Sequence, residues 1–310
     1  MIELIIQLLI LAGSLAVLAS ASHFTIKAIE KLIELTGLSE VSAGFAILAV
    51  MTSTPEIVVA FFSVLQGTPG ISVGDIIGSN VFNIGAVLGI LGMLGYLKTC
   101  CTDLLVELTD ILFITSLIPL VLVIFEVVSP IVGIILLGTF VASTYFMTRK
   151  KMPVVEADKP SKAPKEGIKM AIVKLLLGFV GVVVASRLVV ESGLNIAISF
   201  GVPPILIGAK VVSIGTSLPE LTLDLAAVRR GRVHLAIGDI IGSNLTNLTL
   251  VLGLVLLTSP FAVDMVIFTE ILPFMLITTI VFWRFLTKGG VSQIGGVVLI
   301  MTYILFQAII

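Results

Sequence analysis

Two short segments place a carboxylate directly behind a proline: Thr52-Ser53-Thr54-Pro55-Glu56 and Thr216-Ser217-Leu218-Pro219-Glu220. A second motif follows each. GDIIGSN at Gly74–Asn80 recurs unchanged at Gly238–Asn244, and an asparagine stands three residues further on, at Asn83 and Asn247. The offset is 164 throughout (216 − 52, 220 − 56, 238 − 74, 247 − 83), so this is an internal duplication with no residue gained or lost between its motifs. Proline cannot donate to the carbonyl four residues earlier, Met51 or Gly215, and local unwinding there can expose the neighbouring carbonyls of Ala49 and Ser213. Thr52, Ser53, Thr216 and Ser217 add hydroxyls, and Glu56 and Glu220 add carboxylates. Asp75, Ser79 and Asn83 are spaced by four and share one helix face, as do Asp239, Ser243 and Asn247. The set is a cage of oxygens with no His or Cys, which suits Ca²⁺, Na⁺ or H⁺ and suits zinc or copper poorly.

These polar residues sit inside long apolar segments. An unpaired carboxylate in hydrocarbon costs about 3 kcal/mol on insertion scales. It is tolerated where a helix breaks around a polar cavity, and paired broken helices in two halves of a chain point to a transport site. The chain is 58% hydrophobic and 12% charged over 310 residues, against roughly 25% charged in soluble domains. It reads as an all-α integral membrane protein in a lipid bilayer. Apolar runs fall near 2–22, 40–65, 71–96, 104–125, 128–148, 169–190, 203–228, 234–259, 262–284 and 290–309. That pattern predicts ten transmembrane helices as two five-helix repeats, 1–148 and 169–310, joined by a polar linker at 149–168. An odd number of spans per half makes the repeats inverted, with broken helices at the midplane.

Charge placement agrees with that count. Of the 18 basic residues, all but Arg187 and Lys210 lie in the connections after odd-numbered spans or the first turns of span 6. The positive-inside rule then puts the linker in the cytoplasm and both termini outside a cell membrane crossed many times. The first run has no basic n-region and is expected to be a span, not a removed signal. Residues 24–35, FTIKAIEKLIEL, are expected to form a separate interfacial amphipathic helix. The neighbours Cys100 and Cys101 make neither a disulfide framework nor a metal-ligand spacing. The net charge of −1 gives no sign of nucleic acid.

The duplicated Thr-Ser-x-Pro-Glu and Gly-Ser-Asn-x-x-Asn pattern resembles the two alpha repeats of the Ca²⁺/cation antiporter superfamily, most closely the prokaryotic sodium/calcium exchangers. The resemblance covers essentially the whole chain. It implies four central ligands, Glu56, Asn83, Glu220 and Asn247. Flanking Na⁺ ligands would be Thr52, Ser53, Ser79, Thr216, Ser217 and Ser243, with main-chain oxygens near Ala49 and Ser213. Some prokaryotic relatives carry Asp where this chain has Asn247, and potassium-dependent ones carry Asp at Asn83, which weakens any case for K⁺. The resemblance also implies that spans 1 and 6 slide as a pair.

The expectation is therefore a secondary active antiporter exchanging Na⁺ for Ca²⁺ by alternating access, a monomer without cofactor. Two glutamates carry −2 when ionised, which one Ca²⁺ or two protons neutralise, so H⁺/Ca²⁺ exchange stays open; a cation channel is the third reading. No HExxH, GxSxG or paired catalytic Asp motif suggests an enzyme. Asp75 and Asp239 are expected at opposite mouths of the passage, Asp224 beside a cytoplasmic arginine, and Lys210 reaching toward the outer surface.

Overall fold

The computed structural model describes the chain except for residues 1, 37–38, 66, 68, 126–128, 150–166, 200–203, 259–264 and 310. The expected linker therefore lies almost wholly outside the described residues. Those residues form helices and turns and no strand. Among the described residues, five helices are long and apolar enough to cross a membrane, and a sixth span results if one bent pair is taken together; Ala49–Leu65, Pro130–Phe146 and Gln293–Ile309 are shorter apolar helices.

Large apolar side chains point outward, among them Phe61, Ile131 and Ile294, while Glu56, Asp75, Glu220 and Asp239 are fully buried. That is the reverse of a soluble protein, and it is what a hydrocarbon solvent selects.

The first helix, α1 (Ile2–Thr36), runs unbroken for 35 residues. The stretch 24–35 continues it and does not form a separate interfacial helix. No Gly or Pro interrupts Ser14–Thr36, and Ile26 and Ile29 of its apolar stripe are buried against protein.

Each Pro-Glu motif opens a helix after a break one residue wide. In the first copy, Ala49–Thr52 ends at Ser53 (ψ 3°) and α2 (Thr54–Leu65) begins. The two long central helices start with α3 (Pro69–Val81), which continues through a π-helical turn at Phe82–Leu88. In the second half, α4 (Ile168–Ser199) packs along α1. Ser213–Thr216 then ends at Ser217 (ψ 7°) and α5 (Leu218–Arg229) follows. Here the segments on either side of the break meet at 43°. The other central helix is α6 (Val233–Thr246), passing into a π-helical turn at Asn247–Val251. Pro69–Met93 and Val233–Thr258 are 89% and 83% buried, against 24–44% for the other three long apolar helices, so these two form the axis of the bundle.

Glycines let the two halves meet at backbone distance. A methyl built on Gly44 would strike the Leu235 carbonyl and lie 2.9 Å from the Asp239 amide nitrogen; one built on Gly208 would strike Ile71 O and lie 2.9 Å from Asp75 N. The second set of contacts is the first displaced by 164 residues (44 + 164, 235 − 164, 239 − 164). Gly78 against Ala209 and Gly242 against Phe45 repeat the relation. Each half's pre-break segment thus crosses the central helix of the other half, around an approximate two-fold axis. Small residues at such crossings are how helices associate where hydrophobic burial offers no drive.

Candidate cation site

The two crossings bring the repeated motifs together as the spacing predicts, and they do so across halves. Asp75 Oδ1 accepts from Thr216 Oγ1 at 2.9 Å and from Ser79 Oγ at 3.4 Å, and Ser79 and Thr216 are 3.3 Å apart. In the related cluster Asp239 Oδ1 accepts from Thr52 Oγ1 at 3.2 Å and Ser243 Oγ at 3.5 Å, with Thr52 and Ser243 2.9 Å apart. Every one of these side chains is buried. An aspartate and serine from one half meet a threonine from the other, twice.

Glu56 and Glu220 stand in the first turns of α2 and α5, where the positive ends of the helix dipoles favour carboxylates. Glu56 Oε1 accepts from Ser217 at 3.3 Å and lies 3.4 Å from Ser79 Oγ, whose single proton it shares with Asp75. Its Oε2, both oxygens of Glu220, Asn83 Oδ1, and both polar atoms of Asn247 are buried without a hydrogen-bond partner. A buried polar atom left unpaired costs roughly 1–3 kcal/mol, and a charged one more. All of these but the Asn247 amide nitrogen are acceptors, an excess of oxygen over donors that a cation would satisfy. Among the described residues no three His, Cys, Asp or Glu side chains converge as a metal cluster. The ligating capacity is therefore spread over mixed carboxylate, amide and hydroxyl oxygens, which suits hard cations.

The Ala49 and Ser213 carbonyls are less free than unwinding at the prolines suggests. Ala49 O accepts from Ser53 N at 3.0 Å and Thr52 Oγ1 at 3.3 Å; Ser213 O accepts from Ser217 N at 3.1 Å and Thr216 Oγ1 at 3.3 Å. The break is one residue wide because each proline enters the next helix near its first position, where its missing N–H costs nothing.

Two expectations need correction. Asp75 and Asp239 are not at the mouths but fully buried in the two clusters, each two turns into a helix already deep in the bundle. Asp224 does not pair with an arginine: both its oxygens lack partners, while Arg230 and Arg232 pair with Glu30 and Glu40 at 2.6 and 2.7 Å. Lys210 is half-buried and donates to the Gln307 carbonyl at 3.1 Å, near the C-terminal end of the last helix, which does not contradict the expected reach toward the side where that terminus is expected. Sequence reasoning also passed over Asn80 and Asn244, although both stand in the repeated motif. Asn83 Nδ2 donates to Asn244 Oδ1 at 3.0 Å, and Asn80 Nδ2 to its own helix at Ile76 O, 2.7 Å. Asn83 lies at the entry to a π-helical turn.

The family profile described as "Sodium/calcium exchanger protein" matches residues 6–149 and 170–310. The sodium/calcium exchanger MaX1 of Methanosarcina acetivorans is 27% identical over 347 aligned positions, covering 98% of each chain. The uncharacterized membrane protein MJ0091 of Methanocaldococcus jannaschii is 30% identical over 208 positions, 66% of each. The solved structure of the sodium-calcium exchanger NCX_Mj soaked with Na⁺ and Sr²⁺ superimposes with a TM-score of 0.82, covering 99% of each chain at 24% identity, a likeness of fold.

Proposed function

This chain belongs to the sodium/calcium exchanger protein family, and from that premise we propose that it exchanges Na⁺ for Ca²⁺ across a cell membrane by alternating access. The observation that carries the reading is the pair Glu56 and Glu220, fully buried at the two helix breaks with unpartnered carboxylate oxygens. Ca²⁺ binds between them, completed by Asn83 and Asn247. Na⁺ ions occupy the same carboxylates and the hydroxyls of Thr52, Ser53, Ser79, Thr216, Ser217 and Ser243, with main-chain oxygens at Ala49 and Ser213 contributing once their helix bonds loosen. Both ions need the same two carboxylates, so neither set binds fully while the other is present. That mutual exclusion is the coupling.

The architecture in this reading is ten spans in two inverted halves, 1–148 and 169–310, acting as a monomer. Both termini lie outside, and the 149–168 linker is cytoplasmic. The crossings that recur at an offset of 164 support the two-fold relation. Access alternates as α1 and α4 slide over the rest. Gly178 and Gly181 on α4 stand against Thr25 and Ala21 of α1, and small residues leave that face with little to interlock.

The test is ⁴⁵Ca²⁺ uptake into proteoliposomes loaded with Na⁺ and diluted into Na⁺-free medium. Uptake that needs internal Na⁺ and ignores an imposed pH gradient is expected. Uptake driven by the pH gradient alone would make the coupling ion a proton, and uptake indifferent to both gradients would make the protein a channel.

A further inference from the structure

Asn80 and Asn244 belong to the repeated motif, yet the exchange cycle described above gives neither a task. Both are buried, and a backbone carbonyl fixes which end of each amide points where, because a carbonyl only accepts. Asn244 Nδ2 donates across to the Asn80 carbonyl of the other half at 3.5 Å, which leaves its Oδ1 for Asn83. Asn83 has to present its amide nitrogen to that oxygen, at 3.0 Å, and its own Oδ1 is left buried and bare. The constraint thus runs from a carbonyl of α3 through Asn244 to the ligand oxygen of Asn83. An ionised aspartate at 83 could not enter this chain, since it has no N–H to give.

The duplication supplies a twin for the Asn83–Asn244 bond, and the twin is not made. Moved by 164 residues, the pair becomes Asn247 Nδ2 and Asn80 Oδ1 (83 + 164, 244 − 164). Both of those atoms are buried without a hydrogen-bond partner. The elements that carry them pack alike: α6 lies on the π-helical turn Phe82–Leu88, and α3 lies on the turn Asn247–Val251. The difference is in the motif asparagines themselves. Asn244 reaches across to the other half, whereas Asn80 Nδ2 folds back on its own helix to Ile76 O at 2.7 Å. Asn83 is therefore aimed, and Asn247, with both polar atoms unpaired, is not.

We propose that Asn80 and Asn244 are positioning residues that aim the ligand amides of Asn247 and Asn83 in alternation, one in each access state. In the state seen here Asn244 reaches across and holds Asn83. When the two halves exchange conformations, Asn80 reaches across and accepts from Asn247, Asn244 folds back to the Ile240 carbonyl (76 + 164), and Asn83 is released. Each state then has one amide oxygen held toward the cation and one free to turn, so Asn83 governs the cation affinity at one face of the membrane and Asn247 at the other. This alternation rests on the inverted-repeat exchanger reading given above.

The experiment measures the half-saturating Ca²⁺ concentration of Na⁺-driven ⁴⁵Ca²⁺ uptake at each face, using right-side-out and inverted membrane vesicles that hold the full-length chain. Wild type is compared with Asn244→Ala, Asn80→Ala, Asn83→Ala and the double variant Asn83→Ala/Asn244→Ala. Asn244→Ala is expected to raise that concentration about 2–10-fold at one face, the factor to which the net contribution of one hydrogen bond corresponds. Asn80→Ala should do so at the opposite face. The double variant should lose no more than Asn83→Ala alone, because Asn244 acts through Asn83. Additive losses, or an unimpaired Asn244→Ala beside an impaired Asn83→Ala, overturn the positioning role and leave the exchanger reading standing. Equal losses at both faces in both single variants overturn the alternation. Wild-type vesicles without Na⁺-dependent uptake, or Asn83→Ala with unaltered Ca²⁺ affinity, would instead sink the ligand assignment on which the proposal rests. Should the variants not fold, the structure of the wild-type protein in the opposite-facing state decides. There Asn80 Oδ1 is expected at hydrogen-bonding distance from Asn247 Nδ2, with Asn83 and Asn244 parted, and an Asn83–Asn244 bond kept in both states overturns the proposal.

Discussion

Replacing Gly208 or Gly44 by alanine tests whether the two backbone crossings hold the cage. At Gly208 the new methyl meets Ile71 O and lies 2.9 Å from Asp75 N and 3.0 Å from Ile71 C; at Gly44 it meets Leu235 O and lies 2.9 Å from Asp239 N. Optimal carbon contacts fall at about 3.5–4.0 Å, so the helices must part by roughly 0.6–1.1 Å. Overpacking of this kind costs about 1–3 kcal/mol. The upper end applies because the obstacle is backbone on both sides and no rotamer change relieves it. The amide that must move belongs to Asp75 or Asp239, so the shift also disturbs the 2.9 Å Thr216–Asp75 bond or its 3.2 Å counterpart from Thr52. Heating detergent-purified protein and following the monodisperse fraction by size-exclusion chromatography gives the stability change, and ⁴⁵Ca²⁺ uptake per reconstituted protein gives the activity. Gly138→Ala, in the helix Pro130–Arg149, is the control. Its methyl has no atom within 4 Å, and removing a mid-helix glycine gains about 0.5–1 kcal/mol. If Gly208→Ala and Gly44→Ala melt as high as Gly138→Ala, the crossings are not the constraint described.

Glu56→Gln keeps the shape and removes one of the two central charges; Ca²⁺ uptake should be lost, and normal flux in this variant would remove Glu56 from the site. Ser217→Ala and Ser53→Ala should differ although the residues are related by the duplication. Ser217 donates to Glu56 at 3.3 Å, a hydrogen bond to a carboxylate of about 1.5–3 kcal/mol. Ser53 Oγ is buried without a partner, so its removal should leave the melting temperature in Na⁺-free buffer unchanged or raise it; equal losses for both would contradict the assigned hydrogen bonding. Gly181→Leu, placed against Ala21 of α1, should slow exchange while leaving the Ca²⁺ affinity nearly unaltered, and lowered affinity at full rate would count against sliding along that face.

The polar clusters and their pairing were legible because the duplication repeats them at one offset, and polar residues kept twice in apolar surroundings, where each is costly, point to a polar interior. The helix breaks were legible from Pro55 and Pro219. What sequence could not supply was depth and register. Asp75 sits only six residues after the Pro69 start of α3, which reads as a helix end at a membrane surface. It is nevertheless buried, because the segment ending in Ser213–Thr216 packs across α3 at Gly74 and Gly78. The π-helical turns at Gly44–Leu48, Phe82–Leu88, Gly208–Val212 and Asn247–Val251 have no composition signal, since they answer to packing and not to propensity. They rotate the residues that follow, which is why Gly74 and Gly78 face residues 205–213 while Gly85 and Gly89 face the last helix. Such turns are rare and concentrate at functional sites. Asp224 was visible as an acid in an apolar run, but sequence proximity to Arg229, Arg230 and Arg232 did not reveal that Arg230 and Arg232 pair with Glu30 and Glu40 and that neither oxygen of Asp224 has a hydrogen-bond partner.

The cage exists only because each half completes the other, and this bears on how two access states could be balanced. On the inverted-repeat reading, interchanging the conformations of the two halves converts the outward-facing state into the inward-facing one. Identical halves would make those states equal in energy, and any bias must come from where the halves differ. The differences are specific. Glu56 has two hydroxyls within hydrogen-bonding distance and Glu220 none; Asp224 corresponds to Ala60; Gly85 corresponds to Thr249; and the second break is bent by 43°. Three of these four lie within a turn or two of Glu220 or Glu56, and all change charge, hydrogen bonding or backbone direction at the cage itself. On that reading the repeated residues set which ions bind, and the unrepeated ones set which side the empty and loaded cage prefers to face.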